Sequence, residues 1–152
     1  MANIVPYAFK GELMSGTHNF SAGGNTFFLA LYTSNPYTDS SSTVYVTTNE
    51  VSSAGGSNYT AGGKQLQNQA VGFSTATTTV DFDNLTWGAA TTGAATFGAA
   101  FAAIYNSTSS NKSVVVLDFG GTKTATNGDF TIAFPSPATP ANAILSLSLI
   151  HI

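Results

Sequence analysis

The chain has 152 residues and a formal net charge of -3, and only 7% of it is charged, against about a quarter in an average soluble domain. Four lysines and no arginine are too few to neutralise many phosphates, which argues against nucleic-acid binding. No apolar run approaches the roughly 18 residues of a membrane span, and the absence of cysteine excludes disulfides and thiolate metal sites.

Met1 to Lys10 lack a cationic stretch followed by an apolar one, so no secretory leader is expected. One helix is predicted, an N-terminal arm over 5–16. Pro6 opens it, Val5, Phe9 and Leu13 recur at four-residue spacing, and Gly16 closes it. So short a helix must pack against something, either its own β-domain as a flap or a neighbouring subunit.

After Gly16 the periodicity is that of strands. They are predicted at Thr26–Tyr32, Val44–Thr48, Thr77–Phe82, Leu85–Trp87, Phe97–Tyr105, Ser113–Phe119, Asp129–Phe134 and Ala143–Ile150. Asp83-Asn84 reads as the turn between the third and fourth. Ser113–Phe119 is nearly continuous in apolar residues and reads as central. Gly23-Gly24, Asn35-Pro36, Gly55-Gly56, Gly62-Gly63, Gly120-Gly121 and Asn127-Gly128 punctuate the connections. Short strands with glycine-rich turns predict an all-β fold, a β-sandwich or jelly roll with one short N-terminal helix. It forms a single domain over 1–152 with a C-terminal extension and last strand at 136–152.

Searching for chemistry gives little. A serine nucleophile needs a base in reach, and the histidines are His18 and the penultimate His151. His18 follows the helix among polar residues and reads as a surface or capping side chain. Asp118-Phe119-Gly120 lacks the other parts of a kinase and reads as a strand end. Gly63-Lys64 is followed by Gln65, where a phosphate loop needs Ser or Thr. Asp81 and Asp83 share a strand face and suit calcium less well than simple polar-out alternation. Trp87, Phe101 and Tyr105 read as core rather than a sugar platform. No enzyme activity, cofactor or metal is expected.

The polar half of the chain consists of hydroxyls and amides, with 22 Thr and 17 Ser. These groups cost less to desolvate than charges and suit protein contacts. Candidate interface residues fall in three places. Phe9 and Leu13 belong to the arm, and Tyr37 and Tyr59 to the loops Asn35–Thr43 and Val51–Gly63. Leu145, Leu147 and Leu149 form one face of the last strand. That strand needs burial in its own sheet or in a neighbour's.

An ordered set of motifs carries a resemblance. Phe9-Lys10-x-Glu12-Leu13-x-x-Gly16-x-His18-x-Phe20 precedes Phe28-Leu29-Ala30-Leu31-Tyr32-Thr33, Asn49-Glu50-Val51 and Tyr59-Thr60-Ala61-Gly62-Gly63. Val80-Asp81-Phe82-Asp83-Asn84-Leu85-Thr86-Trp87, Ala103-Ile104-Tyr105-Asn106, Val116-Leu117-Asp118-Phe119-Gly120 and Asn127-Gly128-Asp129-Phe130-Thr131-Ile132 follow. Over about residues 8 to 135 this order resembles a group of small virion structural proteins encoded among the head genes of tailed bacteriophages. The resemblance implies a head decoration or cement protein that binds the major capsid protein lattice, located in the virion and assembled in the host cytoplasm. A neck, tail or fibre component is the alternative. The polar 35–43 segment and the extension after Pro137 depart from the pattern. Many copies on a lattice act through avidity, and a homo-oligomer, a trimer, is expected, with no nucleic acid and no membrane as partner. A carbohydrate-binding β-sandwich module is the reading from another class, and it would expose planar aromatics on one face.

Overall fold

The computed structural model describes residues 3–37, 43–74, 76–90, 93–135 and 143–148. Its spine is a long hairpin of β6, Ala95–Asn106, and β7, Lys112–Gly128, joined by a turn in which Ser110 and Asn111 have positive φ. β7 runs through Gly120-Gly121, where the sequence predicts a turn. Phe101 faces Asp118 while Ala99 faces Lys123, so Phe119–Thr122 forms a bulge opposite Ala100. Gly120 and Gly121 have φ of 71° and 140°, which let the strand bend and continue. The strand ends at the predicted Asn127-Gly128 break, where Asn127 has φ of 50°.

β1, Phe27–Tyr32, pairs with β6 on one side and with the two-residue β2, Lys64–Gln65, on the other, giving the order β2-β1-β6-β7. Both faces of this sheet are covered, which is why β1 reads as an unbroken apolar run. Phe27, Leu29 and Leu31 enter the main core, and Ala30 and Tyr32 join a second cluster with Tyr37, Ala103, Tyr105 and Val116. β7 is an edge strand, not a central one. Its edge is covered by backbone bonds between Ile4 and Val116 (2.9 and 2.8 Å) and from Ser113 N–H to the Thr43 carbonyl (3.0 Å). That cover keeps Val114, Val115 and Val116 buried. The strand predicted at Val44–Thr48 contributes only the Val44–Lys112 bridge of that cover.

The facing layer is split in two. β3 (Ala70–Ser74), β4 (Thr77–Asp81) and β9 (Leu145–Ser148) form a sheet of order β3-β4-β9, and β5 (Leu85–Trp87) pairs with β8 (Phe130–Ile132). Asp83-Asn84 is therefore no hairpin turn but a crossing between sheets. Asp83 N–H donates to the Gln67 carbonyl, and Asn84 Oδ1 accepts from Phe134 N–H. Phe82, Leu85, Trp87 and Phe130 meet Phe27, Leu29 and Ile104 across the core. Phe20 and Phe27 stack there at 4.4 Å. The chain is all-β with one short helix, layered as a sandwich.

That helix, α1, spans Tyr7–Met14, with Pro6 as its N-cap. It is shorter than the predicted arm: Pro6 caps it instead of opening it, and Gly16, with φ of 77°, follows its C-cap Ser15. Gly16 N–H donates to the Leu13 carbonyl and Thr17 N–H to that of Glu12 (3.2 and 2.8 Å), satisfying carbonyls that the last turn would orphan.

Candidate functional site: an apolar groove between helix and sheet

A groove of about 880 Å³ lies between α1 and the β3-β4-β9 sheet. Phe9, Leu13 and Met14 form the helix wall, and Val71, Val80 and Leu145 the sheet wall. Strand register explains the sheet wall. Val71 faces Val80, and Val80 faces Leu145, so these three form one row that packs against the core. The next row on the same face is Phe73, Thr78 and Leu147. Helix and core do not reach it: Phe73 is 82% exposed and Leu147 61%. On the helix side Met14 is 92% exposed. Full burial of such a side chain is worth roughly 1.5–3 kcal/mol, so this face leaves several kcal/mol unrealised.

The helix wall is held by a polar chain. Glu12 accepts from Lys112 Nζ through Oε1 and from His18 Nε2 through Oε2 at 3.0 Å. Asn106 Nδ2 donates to His18 Nδ1 (3.1 Å) and to Asn25 Oδ1 (3.0 Å). With Nδ1 accepting, the ring proton sits on Nε2 and is donated to Glu12. Burial pushes the Glu12 carboxyl up, but the hydrogen bonds from Lys112 and His18 and the Lys112 charge outweigh it and hold it below its ordinary 4.5. His18 is therefore buried, not a surface or capping side chain. Its ring lies 4.9 Å from that of Phe9, and the flanking polar residues hid this burial from the sequence pattern.

Four predicted interface residues, Phe9, Leu13, Leu145 and Leu147, line this one groove. Leu149 lies outside the described residues. Tyr37 and Tyr59 are not surface contacts, being only 5% and 3% exposed. Tyr37 Oη lies 2.6 Å from Ser113 Oγ. Tyr59 Oη accepts from Leu31 N–H (3.0 Å) and donates to Glu50 Oε1 (2.7 Å). Glu50 also accepts from Tyr45 Oη and Gly62 N–H, each at 2.7 Å, and so clamps the Val51–Gly63 loop to the sheet. Burial pushes the Tyr59 phenol up, and that of Tyr105 to about 12.

Met14, Val71 and Phe73 escaped the sequence reading. Val71 and Phe73 alternate around Gly72, but over so short a segment that no strand is predicted there. Trp87 and Tyr105 are buried and form no exposed platform. Asp83 accepts from Asn68 (2.6 Å), and among the described residues no three acidic or histidine side chains gather as a metal site. No helix there is long and apolar enough to cross a membrane. No protein-family model matches the chain, nor does any curated protein or solved structure.

Proposed function

We propose that this chain is a structural protein of a tailed-phage virion, a capsid decoration protein that binds the lattice of the major capsid protein. The observation that carries the reading is the half-covered apolar face of the β3-β4-β9 sheet, with Phe73, Leu147 and Met14 exposed beside an open groove. A domain with so few charges and so much uncovered apolar surface suits docking onto protein. The ordered motifs between residues 8 and 135 supply the virion context. The reading assigns the chain no catalytic step and no cofactor.

Antibody raised against the purified chain, gold-labelled and applied to intact virions, tests this directly. Label spread over the head surface is expected. Label confined to the neck or tail would replace decoration with a neck or tail role. Virions free of label and of this chain by mass spectrometry would overturn the proposal.

A further inference from the structure

The uncovered face has the features of a surface that pairs with itself. Its row of Phe73, Thr78 and Leu147 carries no charge, and the groove beside it opens on the same side of the molecule. Phe73 projects and the groove recedes, so one face holds both a knob and a hole. A two-fold axis brings each knob to the other copy's hole, because in such a contact residue i meets residue j and j meets i.

The available area is also of the right size. Tyr7, Lys10 and Met14 follow one stripe of α1, at i, i+3 and i+7, and Tyr7 is 67% exposed. At roughly 150–250 Å² for an aromatic side chain, Tyr7, Met14, Phe73 and Leu147 together leave on the order of 500 Å² uncovered. With the groove walls this approaches the ~800 Å² that each partner contributes to a standard interface. Charge does not oppose the pairing. Among the described residues Lys10 is the one permanently charged side chain lining the groove, and its ammonium lies 5.3 Å from the centre of the Tyr7 ring. No like charges are forced together in the middle of the contact.

We infer that a second copy of this chain covers the β3-β4-β9 face, in a two-fold pairing that puts Phe73 of each copy into the groove of the other. A single self-complementary patch yields a closed pair, whereas a trimer needs two different patches. The inference rests on the proposed function's reading of this face as a protein-docking surface and concerns the free chain in solution; on the virion the lattice takes the place of the second copy.

Sedimentation equilibrium of the full chain tests it. A dimer is expected. Phe73→Ser and Leu147→Ser, made separately, should each weaken it at least tenfold with far-ultraviolet dichroism unchanged. Val44→Ser, at an exposed apolar residue outside the groove, should leave it intact. A second measurement needs no variant: peroxide oxidation of Met14 in the intact protein should slow as concentration rises through the dimer range. A monomer at about 0.1 mM, a trimer, a dimer indifferent to Phe73 and Leu147, or a concentration-independent oxidation rate would overturn the pairing. Dimers of a chain missing from virions would sink the virion reading alone, and labelled virions with a monomeric chain would sink this pairing alone.

Discussion

Glu12 and Lys112, 100 residues apart in the chain, meet as an ion pair that ties the helix to the start of β7. The carboxylate is 16% exposed and also holds His18, so the groove's helix wall hangs on one acidic side chain. A short helix of little intrinsic stability is thereby fixed to the β6-β7 hairpin.

Acid should loosen this tie. Glu12 titrates below its ordinary 4.5 in the folded chain. A carboxylate with a lowered folded value contributes stability that is present above the unfolded value and is lost as pH falls through the folded one. Urea midpoints should therefore fall below about pH 4.5, and less so in Glu12→Gln. At neutral pH Glu12→Ala should cost roughly 2 kcal/mol, because His18 and Lys112 each lose a charged partner. The ammonium is 34% exposed, so its share is partly screened. A pH profile in Glu12→Gln identical to that of the parent chain would contradict the assignment.

The opposite limb of the pH curve belongs to the tyrosines. The Tyr105 phenol is pushed from 10.0 to about 12, first by burial and then by the Glu50 charge. A raised folded value gives stability that is intact below the unfolded value and lost as pH rises through the folded one. Stability should hold to about pH 10 and decline toward 12, with phenolate absorbance rising as the chain unfolds. Tyr59→Phe removes both the acceptor for Leu31 N–H and a donor to Glu50. It should cost roughly 1–3 kcal/mol, measured by urea denaturation. A double-mutant cycle with Glu50→Gln should show coupling between the two sites.

Gly63 should tolerate no side chain. A Cβ there would collide with the Leu29 carbonyl of β1, and its φ is +77°. Neither the β1 backbone nor the β2 pairing beside it can yield without breaking the sheet. Gly63→Ala should cost more than about 3 kcal/mol, whereas Gly55→Ala, with positive φ but open space around it, should cost about 1 kcal/mol. Equal thermal midpoints for the two variants would refute this.

Period-two alternation made most of the strands legible, because a strand with one buried face leaves that imprint. Pairing left none. Leu85–Trp87 looks like the second arm of a hairpin after Asp83-Asn84, yet its partner is Phe130–Ile132, more than forty residues away. Ser113–Phe119 reads as central because it is buried, and what buries its edge is Ile4 and Thr43, residues without strand character of their own. Phe9, Leu13, Leu145 and Leu147 were legible as apolar residues needing cover. Their convergence on one groove depends on β9 lying beside β4 and on α1 facing them across the groove, which no local pattern encodes. Tyr37 and Tyr59 misled because a tyrosine among small polar residues has the composition of a contact loop, whereas their hydroxyls are satisfied inside the fold.

The last strand offers a test of core against docking surface two residues apart. Leu145 and Leu147 share one face of β9, opposite Val80 and Thr78. Leu145 packs against the core, while Leu147 is 61% exposed. Leu145→Ser removes a packed aliphatic group and places a hydroxyl beside Val80, so it should cost about 2 kcal/mol in urea denaturation. Leu147→Ser should change stability at protein concentrations below the dimer range by no more than about 0.5 kcal/mol. Its effect should appear instead in assembly, as a weaker dimer and, if the same face meets the lattice, weaker binding to heads. The two substitutions remove the same side chain from the same strand, so propensity and composition cancel and only the covering differs. If β9 were exchanged with a neighbour rather than seated on its own β4, both substitutions would act through assembly, and the stability cost of Leu145→Ser would depend on protein concentration. A concentration-independent loss for Leu145→Ser, beside an unchanged dilute-solution stability for Leu147→Ser, is the outcome expected for a strand that completes its own sheet and offers its outer row to a partner.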